Sequence, residues 1–233
     1  KIDYNNKLLS KNNLLNSKIL SNKFKKKKID KLKDVEWSCY SQFGEDGIIN
    51  WIISLLPDIP KISLEFGVGD YTESNTRLLV ENESWKSFII ESNKKSFNKI
   101  KNDEIYWKRN LNIKNTTITK ENINKIILDF KIEKKIGILS IDIDGNDYWV
   151  WEAINCINPI IVICEYNSIF GDKKKLTIPY NANFSRSHFT VENQYFGSSL
   201  QSLINLAEKK GYVFLGTPST GVNCFFIKND FSN

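Results

Sequence analysis

The chain has 233 residues, 41% of them hydrophobic and 12% aromatic, enough to bury one substantial core. Its net charge of +6 arises at the start, where residues 1–33 hold 11 lysines against Asp3 and Asp30, a net of +9 that leaves the other 200 residues at −3. A mildly acidic globular part argues against a basic groove tracking nucleic-acid phosphates, and a single histidine rules out a histidine-rich zinc site.

The first 30 residues are rich in Lys, Asn and Leu, and Leu8, Leu15, Ile19 and Leu20 are spaced to share one helical stripe. Residues 1–36 therefore read as a helical extension, which packs on the domain, on a second copy in a homodimer, or on nothing, because one such helix buries too little to fold alone. Residues 37–233 read as the main domain. Within it, residues 41–56, SQFGEDGIINWIISLL, predict a helix capped by Ser41, with Glu45 and Asp46 in its early turns and Pro57 ending it.

From Lys61 the period changes. Apolar runs at 62–68, 87–91, 105–108, 136–143, 160–165, 212–215 and 224–227 predict strands, and helical patterns lie near 73–83, 94–101, 120–130, 147–154 and 198–210. Fully apolar strands separated by helices indicate a parallel sheet covered on both faces. The last two runs are joined by residues 216–221, with Pro218 and no helix, so the final strand should be antiparallel. The expectation is a three-layer, doubly wound, Rossmann-like α/β sheet of seven strands with an N-terminal helical extension.

The segment SLEFGVGDYTESN, residues 63–75, ends a strand at Glu65, turns on Gly67 and Gly69, and opens a helix near residues 72–74. Glycines there let a ligand approach the backbone, and a helix start offers free amide donors. Thr72 stands where the dinucleotide pattern GxGxxG demands glycine. A carboxylate at Glu65 would repel a pyrophosphate but attract the ammonium of an amino-acid moiety, which favours S-adenosylmethionine over a nicotinamide dinucleotide. Glu91, 22 residues beyond Gly69 at the end of the second strand, can take both ribose hydroxyls. The plainer reading makes Glu65 a helix cap and Glu91 an exposed strand end.

In LSIDIDGNDYW, residues 139–149, the fourth strand ends in three aspartates. Asp142 and Asp144 share one face of the extended chain and Asp147 opens the next helix, so the carboxylates border the crevice at the strand ends. Three roles fit. Asp142 serves as general base or acceptor contact, or Asp142 and Asp144, with Asp147 or Asn167, hold Mg²⁺ or Mn²⁺, or the residues cap and shape the turn, Asp147 above all. The fifth strand adds Glu165 and Asn167 as pocket lining. A long connection, residues 168–196, then carries Tyr180, Arg186 and His188. Tyr180 and Arg186 are candidate acceptor contacts, Arg186 for an anionic group. His188, the single imidazole, is a candidate proton acceptor, although a lone histidine is more often structural.

Cys39, Cys156, Cys164 and Cys224 show no paired spacing and read as free thiols in a reducing cytoplasm. No apolar stretch reaches the roughly 20 residues of a membrane span. Methionine is absent, position 1 included, so residues upstream of Lys1 are expected.

Taken together, SQFGEDGII, LEFGVGDYTESNT, FIIESN, LSIDIDGNDYWVW, IVICEYN and GSSLQSLINLAEKKGY resemble the FkbM-type and related Rossmann-fold methyltransferases of bacteria. The resemblance covers about residues 41–230. It implies strand order 3-2-1-4-5-7-6 and S-adenosylmethionine as cofactor, held by Glu65, Gly67, Gly69, Glu91 and Ser92 with Asp142 at the same place, and with Gln42 and Asp46 beside it. It also implies methylation of small metabolites such as the sugars of surface polysaccharides and capsule. The expected reaction is transfer of a methyl group to a hydroxyl, or less readily an amine, of a small polar molecule. Two rivals remain open: a nicotinamide-dependent oxidoreductase, and a non-catalytic domain that binds a partner through its basic helix.

Overall fold

The computed structural model describes residues 2–186 and 194–231. Eight helices among them are α1 (Ile2–Phe24), α2 (Glu45–Leu55), α3 (Arg77–Glu83), α4 (Lys94–Asn102), α5 (Glu104–Lys108), α6 (Ile123–Asp129), α7 (Asp147–Ala153) and α8 (Leu200–Lys209). Seven strands, β1 (Ile62–Phe66), β2 (Lys86–Glu91), β3 (Leu111–Asn115), β4 (Lys135–Ile141), β5 (Asn158–Glu165), β6 (Tyr212–Gly216) and β7 (Asn223–Lys228), form one sheet in the order β3-β2-β1-β4-β5-β7-β6. The first five run parallel, and β7 lies antiparallel to both β5 and β6. This is the seven-stranded, doubly wound α/β architecture of the Rossmann-like methyltransferase fold.

Period-two alternation divides the central strands between two cores. Leu139, Ile141, Val162 and Phe226 point into one layer with Trp151 and Leu203; Ile138, Ile161, Ile163 and Phe225 point into the other with Ile48, Ile49 and Ile52 of α2. At about 1.5–3 kcal/mol for each fully buried large aliphatic or aromatic side chain, these two layers are the main stabilising term. They also hold the carboxyl ends of β1, β4 and β5 side by side.

The third strand differs from the sequence expectation. Residues 105–108 are not a strand but lie in α5, whose first turn is capped by Asp103 (Oδ1 accepts from the Ile105 amide, 3.0 Å) and whose Glu104 and Lys108 pair one turn apart. Only Ile105 of that run is buried, while Trp107 is 66% exposed. The edge strand falls instead at LNIKN, half-polar because it has one neighbour only. α2 and α3 also start later than predicted, for reasons that belong to the site.

α1 packs by a face adjacent to the predicted stripe. Ser17 is buried and its Oγ accepts from Asn82 Nδ2 (2.8 Å), Ser21 Oγ donates to Asn50 Oδ1 (3.1 Å), and Trp51 Nε1 donates to the Lys27 carbonyl (2.9 Å). Leu8, Leu15 and Ile19 remain exposed. Leu32 and Val35, inside the predicted extension, lie in the α2-side core.

Candidate active site

The strand order reverses between β1 and β4, and in open parallel sheets the crevice outside the carboxyl ends at that point takes ligands. Two cavities of about 250 and 390 Å³ open there and share Gly67, Gly69 and Asp142. The smaller is lined by Gln42, Glu45, Glu65, Asp70, Glu73, Asn75 and Asn223, the larger by Glu91, Ser92, Thr116, Ile118, Asp144 and Phe184, among others.

The glycine turn separates them. Gly67 has φ +71°, and a Cβ there would meet the Asp142 carbonyl oxygen at 1.6 Å, so β1 and β4 close on each other only without a side chain. Gly69 also has positive φ, +55°, but a Cβ on it would meet nothing within 4 Å; its bare face fronts open cleft. Below the turn, the buried Glu65 carboxylate accepts from Ser74 Oγ (2.6 Å), the Asn75 amide (2.8 Å), and Thr76 Oγ1 and N (2.5 and 3.2 Å). Those bonds hold residues 74–76 as a turn, and α3 therefore starts at Arg77 rather than near 72–74. Burial pushes the Glu65 carboxyl up and these four donors pull it down.

Glu91 ends β2 with Oε1 accepting from the Asn93 amide (2.6 Å). Burial raises its pKa, against the amides of Asn93, Gly69 and Ser92. Ser92 lines the same cavity.

Gly44 (φ +98°) turns the chain from the SQF segment into α2. Asp46 Oδ2 accepts from three successive amides, Cys39 (2.7 Å), Tyr40 (2.7 Å) and Ser41 (2.8 Å), and the Asp46 amide donates to Ser41 Oγ (2.9 Å). Gly44, not Ser41, is therefore the cap residue of α2, and Ser41 meets the helix only through the Asp46 amide. Asp46 shapes this turn and does not line either cavity, whereas Gln42 does. Glu45, fully buried, accepts from Asn223 Nδ2 (2.9 Å) and ties the start of α2 to the start of β7.

At the end of β4, Asp147 is a loop staple: Oδ1 accepts from the Ile143 amide (2.8 Å) and Oδ2 from the Gly145 amide (2.9 Å). The loop this makes carries Asp144 at φ +58° and leaves it exposed. Asp142 and Glu165 stand at adjacent strand ends. Burial raises both carboxyls; the charges of Asp147, Asp144 and Glu65 add to it at Asp142, where a hydrogen bond from Glu165 pulls the other way, and the charges of Asp142, Asp147 and Asp144 add to it at Glu165, against Arg186. Arg186 comes down from the β5–α8 connection, with Nη1 2.8 Å from Asp144 Oδ1 and 3.7 Å from Glu165 Oε1, and its guanidinium carbon 3.6 Å from the Phe196 ring centre. Arg186 faces acids rather than an open anion-binding pocket.

Glu165, expected as pocket lining, and Arg186 line neither cavity, and two further candidates are placed elsewhere. Asn167 is buried, donates to the Gln194 and Phe196 carbonyls (2.8 and 3.0 Å) and accepts from the Ile169 amide (3.1 Å), so it fastens the long connection. Tyr180 donates to Glu121, accepts from the Lys120 amide (3.3 Å) and lines neither cavity. His188 lies outside the described residues. Sequence reasoning missed Glu45, Asp70, Asn75, Asn223 and Phe184. Glu45, in the quoted SQFGED motif, and Asp70 and Asn75, in the quoted glycine-turn segment, carried a local signal; Asn223 reaches the site because β7 runs antiparallel to β5.

Together the linings hold the carboxylates of Glu45, Glu65, Asp70, Glu73 and Asp142 on one side and Glu91, Asp142 and Asp144 on the other, with no lysine or arginine among the described lining residues. Such a cleft suits a cation and opposes a pyrophosphate.

No family model and no curated protein sequence matches the chain. Among solved structures it is similar to an O-methyltransferase family protein from Burkholderia thailandensis (TM-score 0.51, 8% identity, 79% of this chain and 59% of that one). That likeness shows the fold. Others are the N-terminal domain of EvdMO1 with SAH bound (TM-score 0.46, 11% identity, 77% of each chain) and an S-adenosylmethionine-dependent methyltransferase from Clostridium acetobutylicum (TM-score 0.45, 7% identity, 79% of this chain and 90% of that one).

Proposed function

We propose that the chain is an S-adenosylmethionine-dependent methyltransferase acting on a hydroxyl of a sugar or another small polar metabolite. The observation that carries this reading is the acid-lined cleft, with no lysine or arginine among its described lining residues, at the switch point of a sheet with methyltransferase strand order. A sulfonium nucleoside is cationic and carries no phosphate, whereas a nicotinamide dinucleotide brings a pyrophosphate into the same carboxylates.

Glu91, Ser92 and the Gly69 face would hold the nucleoside, and Gln42 with the Glu65–Asn75 turn the amino-acid end. When bound, the cofactor supplies an electrophilic methyl group. The chain's own part is alignment. Asp142, common to both cavities, stands where nucleoside and amino-acid ends meet, and there one of its oxygens accepts the acceptor hydroxyl's proton as the C–O bond forms. The family resemblance of the sequence motifs extends the reading to sugars of surface polysaccharide and capsule, and the four free cysteines accord with work in a reducing cytoplasm.

The test is calorimetric titration of the purified chain with S-adenosylmethionine, S-adenosylhomocysteine and NAD⁺, followed by a screen of hydroxylated acceptors for methyl transfer. Binding of the first two and not the third supports the proposal. Binding of NAD⁺ alone, or of none, overturns it.

A further inference from the structure

α1 has two unlike sides. Ser17, buried and bonded to Asn82, marks the side against the domain. At about 100° per residue, Leu8, Leu15 and Ile19 fall within about 40° of one another, and the centre of that arc lies across the helix from Ser17. The three are 48%, 59% and 65% exposed, so a line of aliphatic side chains about 16 Å long points away from the domain. A single exposed leucine is ordinary, but an aligned row of them marks a contact surface.

Lysines frame the row. Lys11 and Lys18 lie about 60–80° to one side of its centre and Lys23 about 60° to the other, and all three are exposed. Four more exposed lysines, residues 25–28, follow the helix. That run is fixed in place, because the Lys26 amide donates to Ser54 Oγ (2.9 Å) and the Lys27 carbonyl accepts from Trp51 Nε1 (2.9 Å). Residues 4–29 hold eight lysines and not one acid.

This combination of charge and apolar line selects the occupant. A second copy would set one lysine frame against another with no acid on the face to answer it. A nucleic-acid backbone would take the lysines but gives the three aliphatic side chains nothing apolar to enter. An anionic lipid surface takes both: the side chains sink to the boundary of headgroups and acyl chains, and the lysines beside them stay with the phosphates. Among the described residues no helix is long and apolar enough to cross a membrane, so the contact is with the surface. The other 200 residues carry −3, so the field of an anionic surface also turns the α1 side toward it.

We propose that α1 and the lysines after it dock the protein on an anionic membrane surface, with Leu8, Leu15 and Ile19 in the headgroup layer and the domain on the water side. This does not rest on the methyltransferase reading.

The test is co-sedimentation of the full chain with vesicles of phosphatidylcholine and phosphatidylglycerol in equal parts, with phosphatidylcholine alone as reference. Binding to the anionic vesicles is expected, weaker on phosphatidylcholine alone and falling as salt rises. Leu15→Gln combined with Ile19→Gln should cut vesicle affinity about tenfold or more, because both side chains leave the headgroup layer. Lys11→Gln and Lys18→Gln should each cost about fivefold. All four positions are exposed, so the melting temperature should stay put in each variant. No binding to the anionic vesicles overturns the proposal. So does binding that the Leu15 and Ile19 substitutions leave unchanged, since the lysines then serve for any polyanion. A dimer in sedimentation equilibrium that those two substitutions dissociate overturns it as well, because a second copy then covers the row.

Discussion

The carbonyl oxygen of Asp142 stands 1.6 Å from the point where a side chain on Gly67 would begin. The turn after β1 and the end of β4 are therefore one construction, and the two cavities that share these residues depend on it. Gly67→Ala should force the strand ends apart and add about 1–2 kcal/mol of left-handed strain. The expected result is a clear fall in melting temperature together with loss of S-adenosylhomocysteine binding, measured by thermal unfolding and calorimetry.

Gly69→Ala makes the contrasting case. Its φ of +55° carries a similar strain, but no atom lies within 4 Å of the new carbon. We expect the fold to survive with a loss of about 1–2 kcal/mol. The methyl group projects into the cleft instead, and the cofactor dissociation constant should rise by about tenfold or more, equivalent to ~1.4 kcal/mol. Unchanged affinity in a folded variant would remove Gly69 from the cofactor surface.

Glu91 and Asp142 should separate binding from turnover. A charge-assisted hydrogen bond contributes about 1.5–3 kcal/mol, so Glu91→Ala should raise the S-adenosylmethionine dissociation constant about 10- to 100-fold. Asp142→Asn should cut kcat while moving that constant less. Calorimetry and steady-state kinetics on both variants check this, and the reverse pattern would exchange their roles.

Asp147 should act through its neighbours. Its two oxygens hold the Ile143 and Gly145 amides, so Asp147→Ala strands two buried donors at a cost of about 1–3 kcal/mol each. Denaturant unfolding should report the loss. Asp147→Asn, which keeps one acceptor, should recover part of it.

The N-terminal half of α1 should be dispensable for stability. Its Leu8 and Leu9 are exposed, and the described hydrogen bonds to the domain begin at Ser17. Removing residues 1–12 should leave the melting temperature within about 1 °C, since surface changes stay near ±0.5 kcal/mol. Trp51→Phe should lower it, because it frees the Lys27 carbonyl from Nε1.

Much of the cleft was legible before the fold. Gln42, Glu65, Gly67, Gly69, Glu91, Ser92, Asp142 and Asp144 were all named from sequence, and all line the two cavities. The acids and glycines among them could be found because a strand followed by a short turn places its last residues at a known edge of a parallel sheet; Gln42 and Ser92 were implied by the family resemblance. The third strand failed for a local reason: in EIYWK the apolar content reads equally as strand or helix, and the Asp103 cap decided for helix. Tyr180 and Asn167 failed for another, since a long connection has no period from which to read where its side chains go.

By itself, the amino-acid order determined the layers, the glycine turn and the strand ends at which acids gather, because periodicity and backbone freedom act over a few residues at a time. Tertiary structure decided what each acid faces. Glu65 and Asp46 are consumed by the backbone of turns folded beside them, Glu45 meets Asn223 from 178 positions away, and Glu165 meets Asp142 and Asp144 only because β4 and β5 are neighbours. Partnership across a sheet depends on strand order, which no local window of sequence contains.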